Sequence, residues 1–241
     1  MSRLTALEVE NYTARLNLLS DASRRAVARL LSGIEYDDVA DLREQLIEIF
    51  EPFLGAATDT AAAYAAEFYD SVREQAIGSA FGAEALSMRS PVATEQAIRA
   101  IVQRVVEGAT LEEITDQLLE RIDFEIKRAS GECVMENSKR DPQCIGYARV
   151  PTGTETCGFC LMLASRGFVY HSAKNAGSDE LHGDMAGKEG HYHANCDCRI
   201  VPGFTGMEVQ GYDPDALYER WKKSDHAEYM KRRAESKSSA E

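Results

Sequence analysis

Cysteines and histidines crowd into one stretch, Val150 to Pro202, and that crowding limits what this chain can fold into more than any other feature does. The stretch reads VPTGTETCGFCLMLASRGFVYHSAKNAGSDELHGDMAGKEGHYHANCDCRIVP. It holds Cys157, Cys160, Cys196 and Cys198, four of the six cysteines, and His171, His182, His191 and His193, four of the five histidines. Thiolates and imidazoles are the ligands zinc prefers, and two close pairs separated by a loop are what a tetrahedral structural site needs. Cys157-Gly158-Phe159-Cys160 is a C-x-x-C knuckle. Two residues between the thiolates let both sulfurs face one ion, and Gly158 permits the tight turn. Opposite it, His191-x-His193-x-x-Cys196-x-Cys198 offers four donors within eight residues, of which two complete a tetrahedron. The simplest ligand sets are Cys157, Cys160, His193 and one of Cys196 or Cys198, or the four cysteines with His193 behind them. Two other readings compete. One is a set of buried reduced cysteines with unliganded histidines. The other is a redox pair, which belongs after a strand in a βαβ unit, whereas helical sequence precedes this knuckle. Cys133 and Cys144 lie outside the stretch and read as ordinary thiols.

The surplus of ligands favours a closed structural site over a catalytic one, which keeps a coordination position open beside an acid or base. The deaminase pattern H-x-E followed by P-C-x-x-C is not met: His193-Ala194-Asn195 has no glutamate and stands in the wrong order. H-E-x-x-H is absent. His191, His193 and Asn195 mimic part of a histidine-pair nuclease, without a readable ββα setting. Ser165, His171 and His182 would be the raw material of a serine protease, but no nucleophile elbow surrounds Ser165, which reads as a helix-end residue before Gly167. No catalytic residue is assigned.

The rest of the chain is mainly helical. Leu4-Thr5-Ala6-Leu7-Glu8 reads as a capping box with Leu4 and Val9 as staple. Apolar residues recur at Val9, Tyr12, Leu16 and Leu19. A second helix runs from about Asp37 to Leu54, where Pro52 is expected to end or bend it. A third covers the Ala-rich text from Thr58 to Gly78. Ser90-Pro91 opens another, ended by Gly108, and Thr110 with Glu113 forms a second capping box for a helix reaching about Lys139. After Asp141-Pro142 the text changes. IGYARVP, FVYHS and CRIVP are β-like, and the loop Ser172–Gly190 is long and polar. Asp213-Pro214 restarts a helix carrying Leu217, Trp221 and then either His226 or Tyr229 on one side, and the final charged residues read as frayed. The expected class is α+β, with a helical region over 1–140, a small zinc-type module over 145–203, and a C-terminal helix with charged tail over 204–241.

Charge and hydropathy narrow the partners. The net charge is −13, and the excess acid lies between Met1 and Ser130, a poor match to a phosphate backbone, so no specific nucleic-acid binding is expected. No apolar run approaches the ~18 residues of a transmembrane helix, so no membrane role is expected. The opening residues do not resemble a signal peptide, which implies a reducing compartment where clustered cysteines serve as ligands.

The pattern Arg149 … Thr156-Cys157-x-x-Cys160 … Gly167-x-Val169 … His193-x-Asn195-Cys196-x-Cys198-Arg199 resembles the C-terminal module of phage Mu F-like minor head proteins, in particular their actinobacteriophage branch. The resemblance covers about Arg149–Pro202. Ala194 stands where that family has proline, and Asp197 where it has arginine. The resemblance implies a minor capsid or head-morphogenesis protein with a structural role in procapsid assembly. It implies residence inside the virion head, assembly in the bacterial cytoplasm, and contact with the portal protein and with major capsid or scaffold protein. A competing implication of the same branch is a capsid maturation protease acting on capsid or scaffold protein.

Overall fold

The computed structural model describes residues 2–153, 156–172 and 198–238. The order is β1 (Ser2–Leu4), α1 (Ala6–Leu31), α2 (Val39–Ile77), α3 (Pro91–Val106), α4 (Leu111–Arg140), β2 (Cys144–Pro151), α5 (Gly158–Ala164), β3 (Cys198–Phe204), β4 (Met207–Val209), α6 (Pro214–Trp221) and α7 (Asp225–Ser238). This is the expected α+β class, mainly helical, with two small two-stranded sheets among the described residues. Two compact units are formed, one from Tyr12–Glu67 and Glu84–Cys133, the other from Met1–Asn11, Phe68–Ala83 and Val134–Glu241. Helices α1, α2 and α4 each give residues to both.

The first unit is helical. Its core is a set of apolar stripes at helical spacing: Leu16, Val27 and Leu31 of α1, Leu42, Leu46, Phe50 and Leu54 of α2, Ile98 and Val102 of α3, and Ile114, Leu118 and Ile122 of α4, all buried. Polar contacts join the helices at their margins. Arg15 pairs with Glu67 at 2.7 Å and lies over the Tyr64 ring at 3.9 Å. Ser20 and Arg24 both reach Asp123. Within α4 the buried Glu125 carboxylate is shared by Arg121 and Arg128, so the charge taken out of water is matched on both sides.

Several helix starts follow their local chemistry. Ser90 caps α3, accepting from the Ala93 N–H, with Pro91 in the first turn. Thr110 and Glu113 exchange the two bonds of a capping box, at 2.7 Å and 3.2 Å. Those contacts hold the Glu113 carboxyl below its ordinary range. At the first helix the expectation is corrected: the Glu8 carboxylate accepts from Ser71 at 3.1 Å and from Gln75, both on α2, instead of closing a box with Thr5.

Helix α2 is a second correction. It runs unbroken through Pro52 to Ile77. The buried face Leu42, Leu46, Phe50, Leu54, Ala57, Ala61 and Ala65 steps by three or four residues with no gap at the proline. An interior proline costs about 3 kcal/mol, whereas burying each Leu or Phe contributes about 1.5–3 kcal/mol, so the continuous face outweighs the lost hydrogen bond. Pro52 itself is exposed. Pro52→Ala is therefore expected to stabilise the protein by about 1–3 kcal/mol, read as a higher urea midpoint. A lower midpoint would show that the ring itself is needed.

The second unit carries the two sheets. β1 pairs parallel with β4, Leu4 facing Val209. β2 pairs antiparallel with β3, placing Tyr147 opposite Pro202, Arg149 opposite Ile200 and Pro151 opposite Cys198. Tyr170 adds a third rung by a pair of backbone bonds with Tyr147. At the end of α2, Asp70 accepts the backbone N–H groups of Phe81, Gly82 and Ala83 at 2.8–3.0 Å. Arg73 and Asp141 form a buried ion pair at 2.7 Å. The single C-terminal helix of the sequence reading is corrected to two. The Ser224 hydroxyl donates to the Trp221 carbonyl and accepts from the Ala227 N–H, ending one helix and starting the next. The end read as frayed is helical to Ser238.

Candidate metal centre

The candidate centre is built from the end of one strand pair and one short helix. β3 begins at Cys198, directly across from Pro151, the last residue of β2. Seven residues later in the chain than Pro151, α5 begins at Gly158 and packs against β2. Its N-cap is Cys157, in extended conformation, with the sulfur accepting from the Cys160 N–H at 3.4 Å. The turn thus aims the Cys160 backbone amide at the Cys157 sulfur.

Cys160 and Cys198 are buried against each other, 1% and 4% exposed, and Cys157 packs onto the pair. All three are thiols rather than disulfides. Three of the five predicted ligand positions, from two separate segments, thus lie in one cluster. His193 and Cys196, and with them His182 and His191, lie outside the described residues. Among the described residues no group of three or more Cys, His, Asp or Glu side chains has an arrangement able to hold a metal ion.

The C-terminal end of α5 is tied down from two sides. Tyr170 donates its hydroxyl to the Leu163 carbonyl at 2.6 Å, and Tyr212 donates to the Ala164 carbonyl at 2.5 Å. These satisfy two of the carbonyls that a helix end leaves open. Burial pushes both phenols up; for Tyr170 the value is about 12, with Arg166 and Arg149 opposing the shift and Cys198 adding to it. Both hydroxyls therefore stay protonated donors through the neutral range. Leu161 and Ala164 of α5 pack on Leu217, with Tyr212 and Trp221 beside them.

Strand alternation puts Tyr147, Arg149 and Pro151 on one face of β2, and their register partners Pro202, Ile200 and Cys198 on the same face of β3. Arg149 is fully buried there. The Tyr170 hydroxyl senses both the Arg149 charge and the Cys198 sulfur. Gly146, at φ +132°, lets the Phe168 and Tyr170 carbonyls approach: a Cβ at residue 146 would come within 2.8 Å and 2.9 Å of them.

The other sequence candidates fall into plain roles. The Ser165 hydroxyl donates to the Met162 carbonyl at 2.9 Å and caps α5, as expected of a helix-end residue. The Cys133 Sγ reaches the Ala62 carbonyl at 3.3 Å, and the Cys144 Sγ reaches the Gly146 carbonyl at 3.2 Å. Sequence reasoning did not connect His226 and Trp221 with the knuckle. Those residues stand more than sixty positions after Cys157, and nothing in local spacing points from one to the other.

The model of the VG15 protein family matches residues 3–224. The chain belongs to the VG15 family. It is 36% identical over 118 residues to the Gene 15 protein of Mycobacterium phage L5, a match taking in 37% of this chain and 40% of that protein. It is 34% identical over 117 residues to the Gene 15 protein of Mycobacterium phage D29, over 40% of this chain and 42% of that protein. The matched part thus spans about two fifths of the length of these curated relatives. No solved structure matches. The chain is a phage protein of the VG15 family. Among its described residues no helix is long and apolar enough to cross a membrane.

Proposed function

We propose that the chain is a minor capsid, head-morphogenesis protein of a tailed phage. In this reading it acts structurally during procapsid assembly beside the portal, inside the head, and contacts portal and major capsid or scaffold protein. Its Cys module holds one structural zinc through four of Cys157, Cys160, His193, Cys196 and Cys198. The observation that carries the metal is the packing of Cys157, Cys160 and Cys198 from two distant segments into one cluster. The head role rests on membership of a phage family and on the order C-x-x-C, G-x-V, H-x-N-C-x-C, which resembles the Mu F-like module. Zinc would give this small module, with its two short strands and one short helix, a cohesion that its apolar core supplies only in part.

The protease alternative draws nothing from Ser165, whose hydroxyl is engaged by its own helix. Co-expression with the portal, capsid and scaffold proteins of the same phage separates the two readings. Sedimented procapsids containing the chain, with capsid and scaffold protein intact, are the expected result. Cleavage of capsid or scaffold protein that requires the chain would replace the structural role with the protease.

A further inference from the structure

The last two helices hold the C-x-x-C turn from outside. Gly158, the residue after Cys157, lies so close to α7 that a Cβ there would come within 2.5 Å of the His226 Cβ and 2.9 Å of the Ser224 Oγ. The neighbouring Phe159 ring meets the His226 ring edge to face, centroids 5.8 Å apart. His226 is buried, 8% exposed. Its Nδ1 accepts from the Trp221 indole N–H at 3.1 Å. Indole nitrogen only donates, so the imidazole must present a lone pair at Nδ1 and carry its proton on Nε2. That tautomer has no second lone pair to give a metal. His226 is thus placed to orient the turn and not to ligate.

We propose that His226, fixed by Trp221, is a positioning residue for the Cys157–Cys160 turn, so that α6 and α7 belong to the Cys site and set how readily its thiols are exposed and exchanged. The glycine at 158 has its reason in this contact: only a hydrogen fits against His226. Side chains that orient a metal-binding turn commonly change affinity by about 10–100-fold when removed. The affinity part of this inference rests on the zinc reading above; the thiol-exposure part does not.

The test uses full-length protein, wild type and the variants His226→Ala, Trp221→Phe and Gly158→Ala. Metal-free protein is pulsed with N-ethylmaleimide, and each cysteine is quantified by peptide mass spectrometry. Labelling of Cys157 and Cys160 is expected to rise about tenfold in each variant, as for a local opening, while Cys144 in the same unit and Cys133 in the other keep their wild-type rates. Unchanged labelling at Cys157 and Cys160, or an equal rise at Cys144, would overturn the proposal, since the second outcome means general loosening. Cobalt(II) titration is the parallel arm. A thiolate-to-cobalt charge-transfer band whose midpoint shifts about 10–100-fold in His226→Ala is expected. Absence of the band in wild type removes the zinc reading and leaves the labelling result to decide this one. A band with the same midpoint in wild type and variants counts against His226 as a positioning residue.

Discussion

Arg73→Ala is expected to lower the stability of the unit that holds the Cys site by about 3–5 kcal/mol, the typical cost of stripping one partner from a buried ion pair. Arg73 Nε donates to Asp141 Oδ2 at 2.7 Å. One of its terminal nitrogens donates to the Ser79 carbonyl and hydroxyl and to the Ala80 carbonyl, at 2.6, 2.9 and 3.1 Å. The guanidinium also lies 5.7 Å from the centre of the Phe81 ring. Asp141 is 2% exposed and sits where α4 gives way to β2. Its remaining contacts are the Tyr69 hydroxyl at 3.3 Å and the Gln143 N–H at 3.0 Å. Without Arg73 these two neutral donors face an uncompensated buried carboxylate. Trp221 is the one tryptophan of the chain and lies in the same unit, so its fluorescence in urea reports the relevant transition. Asp141→Asn should cost a similar amount by leaving the cation unmatched. The double variant Arg73→Met with Asp141→Leu should recover much of the loss, because charge burial, not packing volume, is the source. A change under 1 kcal/mol in Arg73→Ala would mean that water reaches Asp141.

How much of this was legible in the sequence depended on the range of the interaction. Caps that act over three residues were readable: Ser90 with Pro91, Thr110 with Glu113, Asp213 with Pro214. The strands flanking the Cys stretch were readable because β-formers cluster where helical spacing stops. The packing of Cys157 and Cys160 with Cys198 is what the ligand spacing suggests, and it is equally what buried reduced cysteines would give, so spacing alone does not separate the two readings. What escaped notice was settled by distant packing. Pro52 is a local stop signal overridden by a buried face that extends on both sides of it. Glu8 looks like a capping residue, yet Ser71 and Gln75, more than sixty positions away, offer its carboxylate better donors. β1 is three residues long and has no alternation to read; its existence depends on β4 lying alongside. The break between α6 and α7 has no glycine or proline and depends on Ser224 and on the pairing of Trp221 with His226.

Cys160→Ser is the other substitution with a large expected effect, and under the proposed zinc reading it acts through the metal. A ligand bound only by the folded state adds about 4 kcal/mol when its free concentration is a thousandfold above its dissociation constant. Structural zinc in a thiolate site readily reaches that regime. Serine keeps the size of the side chain but offers a hydroxyl that stays protonated and binds zinc poorly. Purified wild-type protein should therefore contain one zinc per chain, and a strong chelator should lower the urea midpoint of the Trp221 signal. Cys160→Ser should contain none, should begin at the chelated midpoint, and should not respond to chelator. Cys133→Ser is the matched control. That sulfur is also buried, but it serves the Ala62 carbonyl in the other unit, so its variant should keep both the zinc and the chelator response. Wild-type protein free of metal, with a midpoint indifferent to chelator, would leave Cys157, Cys160 and Cys198 as a packed thiol cluster and nothing more. The same result in Cys133→Ser and Cys160→Ser, with zinc retained in both, would move the ligands away from the knuckle.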